Sequence, residues 1–209
     1  MTPLADRLLP WILTAARLVA SLIVVALFVT ACARPDGGPA AAGPEAGVEP
    51  TTAADSTFDP EARLAELGIT LPEQGAPIAN YVNAVRTGNL LFLAGKGPSL
   101  PEGGYVTGKI PTDLTVEQGY EAARLTAVHH IAVLKAELGD LKRVRRIVKV
   151  TGMVNSAPDF TSQPAVINGY SDLMVAVFGD RGRHARAAVG MASLPMGMVV
   201  EVDVVVEVD

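Results

Sequence analysis

Cysteine is all but absent: the chain of 209 residues has one, Cys32. A single thiol excludes an intrachain disulfide and any cysteine-based zinc site. Histidine is scarce too. His129, His130 and His184 are the three present, and no two of them stand at the spacing of four that a zincin helix uses. Neighbours on a helix project about 100° apart, so His129 and His130 are poor joint ligands, and no metal is expected. Positive charge is in deficit, with 17 Lys and Arg against 22 Asp and Glu and a net charge of -5. That leaves no global basic field for nucleic acid. The one basic run, Lys142, Arg143, Arg145, Arg146 and Lys149, reads as a solvated face at a helix–strand junction. Aromatic residues make up 5% of the chain, and no basic surface is interleaved with them as single-stranded nucleic acid requires.

What is present is strongly segregated along the chain. Hydrophobic residues reach 49%, enough for one core of ordinary size. Residues 1–31 have the form of a signal peptide: Arg7 and Arg17 come early, then Leu18 to Ala31 runs for 14 residues without charge. That length suits the apolar region of a signal and falls short of the roughly 20 residues that span hydrocarbon. The run ends in Val29-Thr30-Ala31-Cys32, which resembles a bacterial lipobox, so Cys32 is the expected lipidation site. An uncleaved anchor helix starting near Trp11 is the other reading. Both place the globular part outside the cytoplasm, in an extracytoplasmic or periplasmic position, anchored to the membrane. Residues 32–58 are rich in Ala, Pro and Gly and almost without large apolar residues. Such a segment buries too little surface to offset its ordering entropy and reads as a tether. Residues 59–209 are then the folded domain.

Within that domain the elements read in order. Glu61–Leu67 is a short helix stopped by Gly68. Val82–Arg86 and Leu90–Ala94 form a hairpin about Thr87-Gly88-Asn89, and Val106–Ile110 reads as a short strand. Thr115 and Gln118 are spaced as a capping box. Val116, Tyr120, Ala123, Ala127, Ile131, Leu134 and Leu138 follow on one helical face, and Gly139 ends the helix. Val144–Val154 is a strand. Ser162 and Pro164 open a second helix whose buried face is Ile167, Tyr170, Leu173, Met174 and Val177, with Gly179 at its end. Ala185–Leu194 and Val199–Val208 are strands joined at Pro195-Met196-Gly197. In the last, Val200, Val202, Val204, Val206 and Val208 alternate with Glu201, Asp203 and Glu207. The expected fold is α+β: a single mixed sheet with two helices packed on one face.

Several segments carry a resemblance. His184-Ala185-Arg186, the apolar strand to Leu194-Pro195, and Val200-Glu201-Val202 resemble the signature of the RidA (YjgF) family, with Glu201 fifteen positions after Arg186 as in that family. Asn80 to Val85, Phe92 to Lys96 and the helical Asn168 also match in order. The stretches GKIPTDLTVEQGYEAARLTA and FGDRGRHARAAVG resemble the branch described as chorismate-mutase-like or L-PSP endoribonuclease-like. The chain departs from the family pattern at Ala187-Ala188 (usually Ser-Cys), His184 (usually Pro) and Val82-Asn83 (usually Ser-Gln).

The resemblance implies a homotrimer with sites in the clefts between subunits, no cofactor, and hydrolysis of reactive 2-imino acids to 2-keto acids and ammonia. In it Arg186 binds the substrate carboxylate as a planar fork and Glu201 handles the attacking water. Tyr81 closes the pocket, the backbone near Gly95 contacts substrate, and Asn168 completes the substrate-binding set. Consecutive strands in a hairpin would let Arg186 and Glu201 approach one site. A protein that binds a small carboxylate-bearing metabolite without turning it over is the alternative, and a surface-tethered assembly protein a third. The family's endoribonuclease label fits poorly with an acidic domain, and no nucleic acid partner is expected.

Overall fold

The structure, a computed structural model, describes residues 58–74 and 80–209. The expected signal peptide, the expected lipidation site Cys32 and the expected tether up to residue 57 lie outside the described residues. The described elements are α1 (Pro60–Glu66), β1 (Ala84–Thr87), β2 (Leu90–Lys96), α2 (Val116–Leu138), β3 (Val144–Asn155), α3 (Gln163–Phe178), β4 (Ala185–Met191) and β5 (Val200–Val208). The strands form one mixed sheet in the order β1-β2-β5-β3-β4. The pair β3–β4 is parallel, and the other pairs are antiparallel.

Local chemistry sets the helix ends. Thr115 Oγ1 accepts from Gln118 N–H (3.2 Å) while Gln118 Oε1 accepts from Thr115 N–H (2.9 Å), so two otherwise orphaned donors of α2 are satisfied. At the other end Gly139 donates to the Lys135 carbonyl, and Lys135 Nζ donates to the Gly139 carbonyl (2.7 Å). In α1, Asp59 Oδ1 accepts from Ala62 N–H (3.0 Å). Helix α3 begins at Gln163 with proline in its first turn, and Ser162 makes no side-chain cap bond there.

The core lies between α2, α3 and one face of the sheet. Val200, Val202, Val204, Val206 and Val208 of β5 are all buried, as are Ile147, Val150 and Val154 of β3 and Leu91 and Leu93 of β2. Each such side chain withdrawn from water contributes roughly 1.5–3 kcal/mol. Coverage of α2 is broader than a single stripe. Ala122, Thr126, Val128, His130 and Val133 are buried beside Ala123, Ala127, Ile131 and Leu134, because the sheet lies on one side of the helix and α3 on another. Val116 and Tyr120, in its first two turns, are half-buried. The two helices touch backbone to backbone: a Cβ on Gly169 of α3 would collide with the Tyr120 carbonyl oxygen.

Two expectations are corrected. Val106–Ile110 forms no strand; the segment makes single bridges from Thr107 to Met198 and from Ile110 to Ser156, and it runs into Pro111, which has no N–H to donate to a ladder. Nor do the last two strands form a hairpin. β3 lies between β4 and β5, and its end is bonded to both sides, Asn155 N–H to the Val199 carbonyl (2.9 Å) and Ser156 N–H to the Met191 carbonyl (3.3 Å). The connection through Pro195 is long enough to step over one strand spacing of about 4.8 Å on each side. The basic run at the start of β3 is tied locally: Lys142 pairs with Asp59 (2.9 Å) and Arg145 with Asp209.

Candidate functional site

Sheet register decides where the predicted site residues stand. Arg186 is paired with Val150, which is fully buried beneath the helices, so the Arg186 side chain lies on the helix face. Glu201 sits between the buried Val200 and Val202, and alternation puts its side chain on the opposite face. Within one chain the two therefore do not converge. They belong to two separate clusters.

The first cluster joins β4 to α3. Arg186 Nη1 donates to Asn168 Oδ1 (3.0 Å) and to Ser171 Oγ (2.9 Å), and Nη2 makes one long contact with the Pro164 carbonyl (3.4 Å). Asn168 and Ser171 are three apart on α3, hence on one face. Both Nη1 protons are committed, while the edge formed by Nε and Nη2 carries only that long contact. Among the described residues Arg186 has no carboxylate partner. A half-buried guanidinium held by neutral acceptors, with one edge of its fork open, suits a planar carboxylate. His184 lies behind it. Its Nδ1 donates to the Gly182 carbonyl (2.7 Å), and its Nε2 is 3.0 Å from Ser171 Oγ. Burial, with the charge of Arg186 adding to it, lowers the His184 pKa, so the ring is neutral at pH 7 and Ser171 O–H donates to Nε2.

The second cluster lies on the other face, across β2 and β5. The Glu201 carboxylate rests directly over Gly95, where any Cβ would collide with Glu201 Oε1. This close approach is what the missing side chain at position 95 permits. The β2–β5 register shifts between Leu93 and Lys96, which marks a bulge at Ala94-Gly95. Burial, helped by Asp203, raises the Glu201 pKa, favouring the protonated form more than in water. Tyr81, 46% exposed, lies two residues before Asn83, whose carbonyl accepts from Ala94 N–H (3.0 Å).

Three features escaped sequence reasoning. Ser171 could have been found from its spacing to Asn168. Lys96 is half-buried with Nζ on Asn83 Oδ1 (2.7 Å), and burial lowers its pKa. His130, 0% exposed, joins Tyr170 (Nδ1 to the hydroxyl, 3.0 Å) to the Ala94 carbonyl (Nε2, 3.2 Å); only the tertiary fold brings these three together. A groove of about 450 Å³ along the outer side of α2, lined by Val106, Leu114, Glu117, Glu121, Ala122 and Leu125, includes none of the predicted site residues.

Comparison with known proteins agrees with this architecture. Residues 61–208 match the family described as "YjgF/chorismate_mutase-like, putative endoribonuclease". The chain is 49% identical over 149 residues to Protein TCP17 of Trypanosoma cruzi, covering 71% of this chain and 93% of that protein. It is 28% identical over 138 residues to the 2-iminobutanoate/2-iminopropanoate deaminase of Escherichia coli, covering 65% of this chain and 94% of that one. Among solved structures it resembles protein Atu1372 of Agrobacterium tumefaciens, of unknown function, with 48% identity, a TM-score of 0.67, and coverage of 72% of this chain and 94% of that one.

Proposed function

We propose, on the premise that this chain belongs to the YjgF/chorismate mutase-like family, that it is an enamine/imine deaminase acting on small 2-imino acids. The observation that carries the reading is the Arg186 fork, held by Asn168 and Ser171 with its Nε edge open. A 2-imino acid carries a carboxylate beside the electrophilic carbon, and the fork fixes the plane of both. Glu201 then accepts a proton from water as the oxygen adds to that carbon. Glu201 passes that proton to the imine nitrogen to give the carbinolamine, and the hydroxyl proton follows through Glu201 to the same nitrogen as the carbon–nitrogen bond breaks, leaving a 2-keto acid and ammonia. A carboxylate whose pKa burial raises is a stronger base than a free one, which favours that exchange. Gly95 lies against the Glu201 carboxylate, and we assign Tyr81 to the acyl end of the same pocket.

Since one chain keeps Arg186 and Glu201 on opposite faces of its sheet, the complete site is built between subunits, Arg186 and Asn168 from one and Glu201, Gly95 and Tyr81 from the next, in a homotrimer. A binder of small carboxylates is the second reading, favoured by the fact that the Arg186 cluster is complete within one chain. We place the folded domain, residues 59–209, outside the cytoplasm on an anchor at Cys32, on the strength of the uncharged run that precedes that cysteine.

The test is calorimetric binding of pyruvate and 2-oxobutanoate together with ammonia release from freshly generated 2-imino acids. Arg186→Ala should lose roughly 10²–10⁴-fold in affinity and turnover, the worth of two charge-assisted hydrogen bonds. Arg186→Lys should fail similarly, because an ammonium lacks the fork. Glu201→Gln should depress turnover and leave keto-acid binding nearly intact in an enzyme; in a binder it is silent. Wild-type behaviour in Arg186→Ala would remove the site assignment.

A further inference from the structure

We propose that Ser171 and His184 are positioning residues that hold the Arg186 guanidinium in its carboxylate-binding orientation, an inference resting on the reading of Arg186 as the anchor. The hydrogen-bond directions form one chain that closes in a single way. The Gly182 carbonyl can only accept, so His184 Nδ1 carries the proton (2.7 Å). The lone pair of the neutral ring is therefore on Nε2, and it faces Ser171 Oγ (3.0 Å). Ser171 must donate its one proton there, which leaves its oxygen lone pairs for Arg186 Nη1 (2.9 Å). Asn168 Oδ1 takes the second Nη1 proton (3.0 Å). Arg186 can turn neither about its Cζ–Nε axis nor toward the sheet without breaking one of these bonds. The edge left to a ligand is Nε with Nη2, which binds a carboxylate side-on with two parallel bonds.

The imidazole supplies something a residue without an acceptor at this reach would not: it fixes which way the Ser171 hydroxyl points. A free hydroxyl rotates among its staggered positions, and in some of them its hydrogen would face the guanidinium. His184 thus acts on Arg186 through Ser171 without touching a ligand.

The experiment uses the full chain and pyruvate as probe, with a ligand-free readout beside it. Ser171→Ala and His184→Leu should each weaken pyruvate binding roughly three- to tenfold, the worth of one side-chain hydrogen bond. The double variant should be no weaker than Ser171→Ala alone, since both interrupt one chain. His184→Gln, which can place Oε1 near the Nε2 position, should restore binding to within about twofold of wild type. By NMR, exchange of the Arg186 Nη1 protons, which Ser171 and Asn168 hold, should quicken in Ser171→Ala and His184→Leu and stay slow in His184→Gln. If Arg186→Ala loses pyruvate while Ser171→Ala and His184→Leu bind it like wild type, the positioning role is overturned and the anchor stands. Additive losses, or Nη1 exchange unchanged in every variant, overturn it equally. If Arg186→Ala binds pyruvate like wild type, or wild type does not bind it, the anchor reading falls and takes the positioning role with it.

Discussion

At the scale of single residues, His130 makes stability depend on pH. It is fully buried, and burial pushes its pKa down from 6.5 to about 4. The neutral ring donates from Nε2 to the Ala94 carbonyl and accepts at Nδ1 from the Tyr170 hydroxyl. The unfolded chain binds a proton at this position near pH 6.5, and the folded chain only near pH 4. Stability therefore rises with pH across that window: it is complete above about 6.5 and lost progressively as pH falls to about 4. The shift corresponds to about 3 kcal/mol. Thermal unfolding of wild type and His130→Asn at pH 7.5 and pH 5 should show a larger drop on acidification for wild type. Equal drops would mean that His130 is not the buried neutral group. The same bond fixes the carbonyl next to Gly95, so the stability of the core and the shape of the Glu201 cluster share one side chain.

At the scale of elements, the contact between α2 and α3 sets how closely the helical layer sits. Gly169 lies against the Tyr120 carbonyl with no room for a methyl group. A Cβ there must push the helices apart, and overpacking of this kind costs typically about 1–3 kcal/mol. Gly169→Ala should lower the melting temperature by roughly 3–10 °C for a domain of this size, and an unchanged value would show that the helices do not meet there. Because α3 also carries Asn168 and Ser171, the same variant should loosen the Arg186 cluster. By contrast, the exposed pairs of the basic run, such as Lys142 with Asp59, are worth little individually.

At the scale of the molecule, the sheet face away from the helices is only partly polar. Val85, Phe92 and Val205 are paired across β1, β2 and β5 in one row. Val85 is 54% and Phe92 46% exposed. A row of apolar side chains on a sheet face that no described helix covers is what a subunit interface would bury. Residues 59–209 should sediment as a trimer at micromolar concentration, and Phe92→Glu should shift them toward monomer. A monodisperse wild-type monomer would count decisively against shared sites, since Arg186 and Glu201 would then have no way to meet. The anchor is tested on the whole chain: Cys32→Ser should abolish acyl labelling and normal processing, and unchanged labelling or mature mass would exclude lipidation at that cysteine.

Periodicity alone determined most of the described elements, because burial imposes a period of two on a strand and 3.6 on a helix and both are written in the side chains. The alternating valines of β5, the capping box at Thr115 and Gln118, and the buried face of α3 from Ile167 to Val177 were legible for that reason. The clustering of Asn168 with Arg186 was implied by resemblance and then given its hydrogen bonds by the fold. What the chain order could not convey was which strands become neighbours. Strands adjacent in sequence, β4 and β5, are separated in space by β3, because pairing is decided by which backbone edges and apolar faces meet in three dimensions. The face of Glu201 follows from the valine alternation of β5, whereas that of Arg186 is fixed by its parallel register against the buried Val150. The tertiary fold also sets Ser171 and His184 behind the guanidinium and His130 beneath Gly95, contacts between distant positions that leave no periodic trace along the chain.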